Sequence, residues 1–212
     1  NSGDGDVLMR VLYATRPYEK EEGAADRLCA KWSEIAKETI LKCSLGKFNA
    51  DLRGIVADFD ALPLRDIKKP KVGIVGEILV KYHPMANNDI VDVIEAEGGE
   101  AVVLDLIDFF LYGMYSKQYN YKELSGSFKT MAMNQILVRL IEGFRSGARK
   151  ALNQSRRFHG PSHISHVAEK AKKVTSLGNQ CGEGWLLTGE MVELLDGGVP
   201  NIVCLQPFAC LP

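Results

Sequence analysis

"KVGIVGEILVKYHPMANNDIVDVIEAEGGEAVVLDL", residues 71–106, decides the fold. Its opening, Lys71 to Val80, is a short β-branched apolar run, which predicts a buried strand. "PMANNDIVDVIEAEGG" reads as a helix: Asn87 or Asn88 is the capping residue, Ile90, Val91 and Ile94 form an apolar stripe, and Gly98-Gly99 end it. "EAVVLDL" is the next strand. A strand, a helix and a strand within about thirty residues predict a right-handed βαβ unit and a parallel sheet.

Outward from this unit, "PNIVCLQ" (200–206) supplies the last strand, and "GEGWLLTGEMVELLDGG" the helix before it. Residues 107–177 read as a helical insertion. It opens with the aromatic "LIDFFLYGMYSKQYNY" and continues in a long helix whose Met-bearing stretch, "FKTMAMNQILVRL", reads as a core-facing side. Residues 1–69 read as a helical segment. "DVLMRVLYATRPYE" keeps helical spacing until Arg16-Pro17, and Leu28, Trp32, Ile35, Ile40 and Cys43 form a second stripe. "LRDIKKPK", charged and preceded by Pro63, is the boundary before residues 70–212. The expected fold is α/β: a Rossmann-like parallel sheet flanked by helices, with a helical N-terminal segment and a helical insertion.

The chain has 212 residues, of which 46% are hydrophobic and 25% charged, a balance that fits a globular protein. The net charge of −1 gives no global basic field for nucleic acid or an anionic membrane. No run reaches the roughly 18 apolar residues of a membrane span, and the N-terminus carries no basic region followed by an apolar core. Five cysteines at irregular spacing, without a CxxC pair, argue against a disulfide framework or a zinc ribbon, so a reducing, cytoplasmic setting is expected.

Three stretches can carry chemistry. In an open parallel sheet, ligands bind beyond the carboxyl ends of strands, where helix N-termini point. "GIVGEILVKYHPMANN" runs from such a strand end and brings Glu77, Lys81, Tyr82, His83 and Asn87 there, although it matches neither a dinucleotide fingerprint nor a P-loop. The plain alternative is close packing at Gly73 and Gly76 and a cap from Asn87. "LGNQCGEGWLLTGE" sets Cys181 in a glycine-flanked loop before a helix, an environment that favours a thiolate. Gly182 and Gly184 leave amides open to a cofactor, with Glu183 and Glu190 as a capping carboxylate and a surface charge in the alternative reading. The third stretch is the C-terminal "GVPNIVCLQPFACLP". Cys204 alternates with apolar residues and reads as a buried core thiol, whereas Cys210 lies beyond the strand in a loop stiffened by Pro207 and Pro212. Thiolates gathered at element ends suit an iron–sulfur cluster, but such clusters take four ligands, so two thiols need others from elsewhere. Cys29 and Cys43 read as packing thiols. His163 and His166 share a helix face near His159, where solvated histidines are the commoner reading than a metal pair.

At these residues the sequence resembles one family. "VGIVGEILVKYHPMANN", "DFFLYG", "ATRPYEKEEG" and "LGNQCGEGWLLTGEMVELLDGGVPNIVCLQPFACLP" are similar to the 2-hydroxyacyl-CoA dehydratase activase-related proteins of anaerobes, long chains that join an ATP-dependent activase module to regions like the dehydratase subunits. The resemblance implies Rossmann-like domains holding a 4Fe-4S cluster between them, with one electron delivered by an activase and passed toward an acyl-CoA thioester. It implies Cys210 and Cys181 as metal ligands, and Glu77, His83, Asn87 and Glu183 as residues lining the cofactor or thioester pocket. It also implies that this chain is a segment, with further ligands outside it, and that an activase module or a dehydratase-like subunit is its partner. The activase's own ATP-binding motifs are not in the sequence. A competing expectation is a non-catalytic docking domain that binds an activase or partner subunit through "FFLYGMYSKQYNY". A third is a nucleotide-binding domain using Gly76 and Asn87.

Overall fold

The computed structural model describes residues 2–42, 44–208 and 210. Strands β1 (Lys71–Gly76), β2 (Glu100–Val103) and β3 (Asn201–Leu205) form a parallel open sheet in the order β2-β1-β3. Lys71 pairs with Glu100 on one side of β1, and Gly76 with Leu205 on the other. The central strand carries the fully buried Ile74 and Val75, as a strand flanked on both edges and both faces requires. Helices α1 (Ser2–Tyr13), α2 (Ala24–Leu41) and α3 (Leu45–Asp60) precede the sheet. The short α4 (Ile78–Tyr82), α5 (Pro84–Asn87) and α6 (Ile90–Ala96) join β1 to β2. Helices α7 (Ile107–Glu123), α8 (Phe128–Gln154), α9 (Ile164–Ala171) and α10 (Gly184–Asp196) join β2 to β3.

The two faces of the sheet are covered differently. On one, Ile74, Ala101 and Val103 pack with Ile94 of α6 and with Met9 and Tyr13 of α1. On the other, Val75 meets Leu194 of α10 and Val199. Two further cores contain no strand residue. Helices α1–α3 close on the end of α8 through Val11, Trp32, Leu52, Phe59, Leu152 and Phe158. Helices α7, α9 and α10 close around Tyr112, Ile164, Val167 and Trp185. The "ATRPYE" stretch ties the helical segment to the sheet layer. After the turn at Arg16–Tyr18, the Arg16 guanidinium donates to Glu95 of α6 at 2.7 Å, and the Tyr18 hydroxyl donates to Glu100 of β2 at 2.6 Å.

Several sequence expectations change. Residues 77–80 leave the sheet and open α4, because the Glu77 carboxylate accepts from the amides of Leu79 and Val80 and turns an apolar run into a capped helix. The helix expected after Pro84 is split at Asn88 and Asp89, both left-handed with φ of 56° and 53°. Cys204 is exposed rather than buried, because β3 lies at the sheet edge and turns that residue toward solvent. In the aromatic α7 Leu111 and Tyr112 are buried while Phe110 and Tyr121 are exposed, and the Met-bearing stretch of α8, expected to face the core, leaves Met133, Ile136, Leu137 and Leu140 exposed. Cys29 packs half-buried against the first core; Cys43 and Pro212 lie outside the described residues. No helix among the described residues is long and apolar enough to cross a membrane.

Candidate functional site

The strand order reverses between β1 and β3, so the crevice at their carboxyl ends is the place where an open α/β sheet takes a ligand. Gly76 ends β1 with φ 143°, and a Cβ there would stand 2.0 Å from the Leu205 carbonyl oxygen. Only glycine lets the two backbones approach so closely. The Glu77 N–H donates to that same Leu205 carbonyl at 2.9 Å, which fixes the exit of β3 against the exit of β1.

Glu77 and Glu183 meet at this point on one helix terminus. Glu77 takes the amides of Leu79 and Val80, and Glu183 Oε1, reaching from the loop before α10, takes the Ile78 amide at 2.9 Å. The first three donors of α4 are thus held by the protein's own carboxylates, which occupy the positions an anion would seek. Asn87 bridges the end of α4 to the start of α6: its Nδ2 donates to the Val80 carbonyl at 2.8 Å and its Oδ1 accepts from the Ile90 amide at 3.2 Å. His83 is exposed at the α4–α5 junction.

"CGEGW" builds the loop that presents Cys181. Trp185 is fully buried, with its indole N–H donating to Ser116 at 3.0 Å and its ring edge-on to Tyr112 at 5.0 Å. Gly184 sits at φ 47°, and a Cβ there would strike the Asn179 carbonyl oxygen at 2.2 Å and the Tyr112 hydroxyl at 2.6 Å. The Tyr112 hydroxyl donates to the Gly182 carbonyl at 3.2 Å. Burial pushes the Tyr112 phenol up to about 12, with Glu183 and Cys181 adding to the rise. Glu183 is buried in its cap, while Cys181 remains exposed at the tip. Cys210 is half-buried after β3, its amide donating to the Pro207 carbonyl at 3.0 Å. Among the described residues, no set of three or more His, Cys, Asp and Glu side chains stands in a metal-binding arrangement.

A second charged centre lies beneath this crevice and beyond the end of β2. Lys81 Nζ contacts both Glu190 oxygens at 2.8 Å, with both side chains buried, so Glu190 is an interior ion-pair partner and not a surface charge. Burial raises the Glu190 carboxyl even against the pull of Lys81. The Tyr82 hydroxyl donates to the Leu104 carbonyl at 2.8 Å. Asp105 accepts from Arg10 Nε at 3.1 Å and from Arg145 Nη2 at 3.1 Å. Burial opposes ionisation of Asp105, yet these two guanidiniums hold its carboxyl below the ordinary value. Asp6 takes the amides of Leu106 and Ile107 at the start of α7, and burial, then Asp105, pushes its carboxyl up to about 6. Asp108 lies 2.9 Å from Arg145 Nη1 but out of hydrogen-bond alignment, and burial pushes it up to about 7 against the pull of Arg145. Glu142 accepts from Arg149 at 2.7 Å and from the Ile164 amide at 2.9 Å.

Sequence reading names the first centre and misses the second, except that it notes Lys81, Tyr82 and Glu190 individually. The signal available was "LDLID" directly after an apolar strand: carboxylates at a strand exit are candidates for burial with a counter-charge. His163 borders the second centre, its Nδ1 3.6 Å from Glu142 Oε1. His163 and His166 are exposed on α9, and His163 Nδ1 is 3.0 Å from the Ser165 hydroxyl.

No family model, no curated protein and no solved structure matches the chain.

Proposed function

We propose that this chain is the cluster-side segment of an anaerobic 2-hydroxyacyl-CoA dehydratase- or activase-like electron-transfer protein, with a Rossmann-like sheet and with Cys181 and Cys210 supplying part of a 4Fe-4S site. One observation carries the reading. The loop bearing Cys181 and the segment bearing Cys210 are both tied to the carboxyl end of β1, the first through Glu183 on the Ile78 amide and the second through the Glu77 amide on Leu205. Both thiol-bearing segments therefore leave the fold at the switch-point crevice.

The donor set fits the group in part. Two thiols are half of a four-thiolate set, so a cluster here takes its remaining ligands from a partner. Such a cluster would supply one-electron chemistry toward an acyl-CoA thioester. The chain's own contribution is positional. Trp185 and Gly184 hold the Cys181 loop rigid, and Glu77 and Glu183 seal the α4 terminus so that its amides do not compete for the anionic site. His83, exposed at the α4–α5 junction, is the residue we assign to meet a thioester or its partner subunit.

Anaerobic reconstitution with iron and sulfide, a small thiol completing the coordination, tests this. The expected result is bound iron with the broad visible absorbance of a cluster, lost in Cys181→Ala and in Cys210→Ala. Iron retained equally in both variants, or never bound by the parent, rejects the reading.

A further inference from the structure

We propose that the exposed face of α8, together with the cleft at its C-terminal half, is a docking site for an acidic amphipathic helix of a partner protein. Through this stretch the inner face of α8 is committed to the fold by Val138, Glu142 and Arg145, all buried. The opposite face carries Met133, Ile136, Leu140 and Phe144, which are 63%, 58%, 55% and 55% exposed, with Phe128 and Leu137 beside them. Spacings of three and four residues keep these side chains on one stripe. From Phe128 to Phe144 the stripe runs about 24 Å at the helical rise of 1.5 Å per residue. A continuous apolar strip of this length marks a contact surface rather than scattered surface leucines.

The stripe leads into a cavity of about 520 Å³. Ile141 and Phe144 form one wall, and Ile40, Leu45 and Phe48, from the α2–α3 junction, the other. Its floor is Asp6, Asp105 and Arg145, whose charges are already engaged with one another, with Arg10 and with the α7 amides. The floor keeps Arg145 Nε and Nη1 without a hydrogen-bond partner, and it is the apolar walls above it that take a bulky apolar side chain, the anchor that concentrates binding energy in a protein interface.

The rim charges select the partner. Between Phe128 and Phe144 the exposed ionisable residues are Lys129 and Arg139, and Glu142 is buried. Neither cation has an ion-pair partner among the described residues. An occupant with apolar residues at helical spacing and acidic flanks complements this face. A second copy does not: antiparallel pairing about Ile136 sets Lys129 and Arg139 of each protomer against Gly143 and Met133 of its partner, leaving four cations and no acid. An anionic membrane is the weaker match too, because two cations fall short of a basic interfacial helix and a bilayer has no protruding side chain for the cleft.

The test uses a synthetic helical peptide with leucines at three- and four-residue spacing, one phenylalanine and glutamate flanks, titrated by fluorescence anisotropy. Saturable binding is expected, weakened roughly tenfold by Ile136→Glu or Leu140→Glu, as befits residues central to a contact. Arg139→Glu with Lys129→Glu should shift preference to a lysine-flanked version of the same peptide. These positions are exposed, so a thermal melt matching the parent's separates lost docking from lost folding. Absent binding, or binding equal in all variants, overturns the proposal. So does a concentration-dependent dimer abolished by Ile136→Glu, which assigns the face to a second copy, or co-sedimentation with phosphatidylserine vesicles that the variants abolish, which assigns it to lipid.

Discussion

The exits of β1 and β2 lie at the same end of one sheet and treat charge in opposite ways. At the exit of β1, two carboxylates are used singly, each on backbone amides of α4, and the thiol of the loop tied there, Cys181, stands in solvent. At the exit of β2, Asp105, Asp108 and Asp6 are buried with Arg145 and Arg10 in one network drawn from α1, α7, α8 and the β2–α7 connection. The first arrangement positions groups that can meet something outside. The second spends its charges on one another and fixes how four elements meet. Buried ion pairs add little over apolar packing, but removing one partner strands the other, so specificity of assembly is the role such a network best serves.

The largest expected effect follows from that asymmetry. Arg145 contacts Asp105 at 3.1 Å and Asp108 at 2.9 Å, with all three side chains buried. Arg145→Met leaves two carboxylates without their shared cation and should lower unfolding free energy by about 3–5 kcal/mol. Chemical denaturation measures it. A loss no greater than that of an ordinary surface change would mean that the network is slack and the contrast between the two exits is false.

The two exits also differ in how far they could be read from sequence. Short β-branched runs bounded by glycine and proline gave away all three strands, because few other structures suit such runs. The Cys181 loop was legible because glycines and a tryptophan crowd a helix start. The run at residues 77–80 misled because apolar content does not distinguish a strand from a helix, and only the Glu77 cap decides between them. The α8 stripe misled differently: periodicity shows that a helix has an apolar side, not what covers it. Cys204 alternates as a core residue would, but β3 is an edge strand. Of the β2-exit network only the strand-exit carboxylates of "LDLID" left a trace, because Asp6, Arg10 and Arg145 each look like surface residues until the chain brings them together.

The next effect sharpens the contrast through pH. Asp108 and Asp6 have folded-state values pushed up to about 7 and about 6 by burial, above the ordinary value of an unfolded chain. The folded state therefore holds their protons more tightly, and the stability they contribute is present at low pH and lost as pH rises through those values. Asp105, Glu190 and Arg145 act on Asp108, and Asp105 and Arg145 on Asp6; the Arg145 guanidinium moderates both shifts without reversing them. Asp108 alone should cost about 2 kcal/mol between pH 5.5 and 8. Asp108→Asn should remove most of that slope, measured by urea denaturation at both pH values. An unchanged slope would place the titrating group elsewhere.

The smallest effect compares two residues of one loop, Cys181 and Glu183. If the β1 exit is a presenting platform, its architecture resides in the cap and its chemistry in the tip. Glu183→Ala frees the Ile78 amide at a buried site and should cost about 1 kcal/mol, the usual loss for a helix cap. It should also loosen the tie between α4 and the loop before α10, seen as faster amide hydrogen exchange at Ile78. Cys181→Ser touches an exposed side chain and should leave the melt and that exchange rate unchanged. The pair of results would separate holding the loop from what the loop offers. A destabilising Cys181→Ser would instead make the thiol part of the packing, and with it the case for Cys181 as an outward-facing ligand would fall.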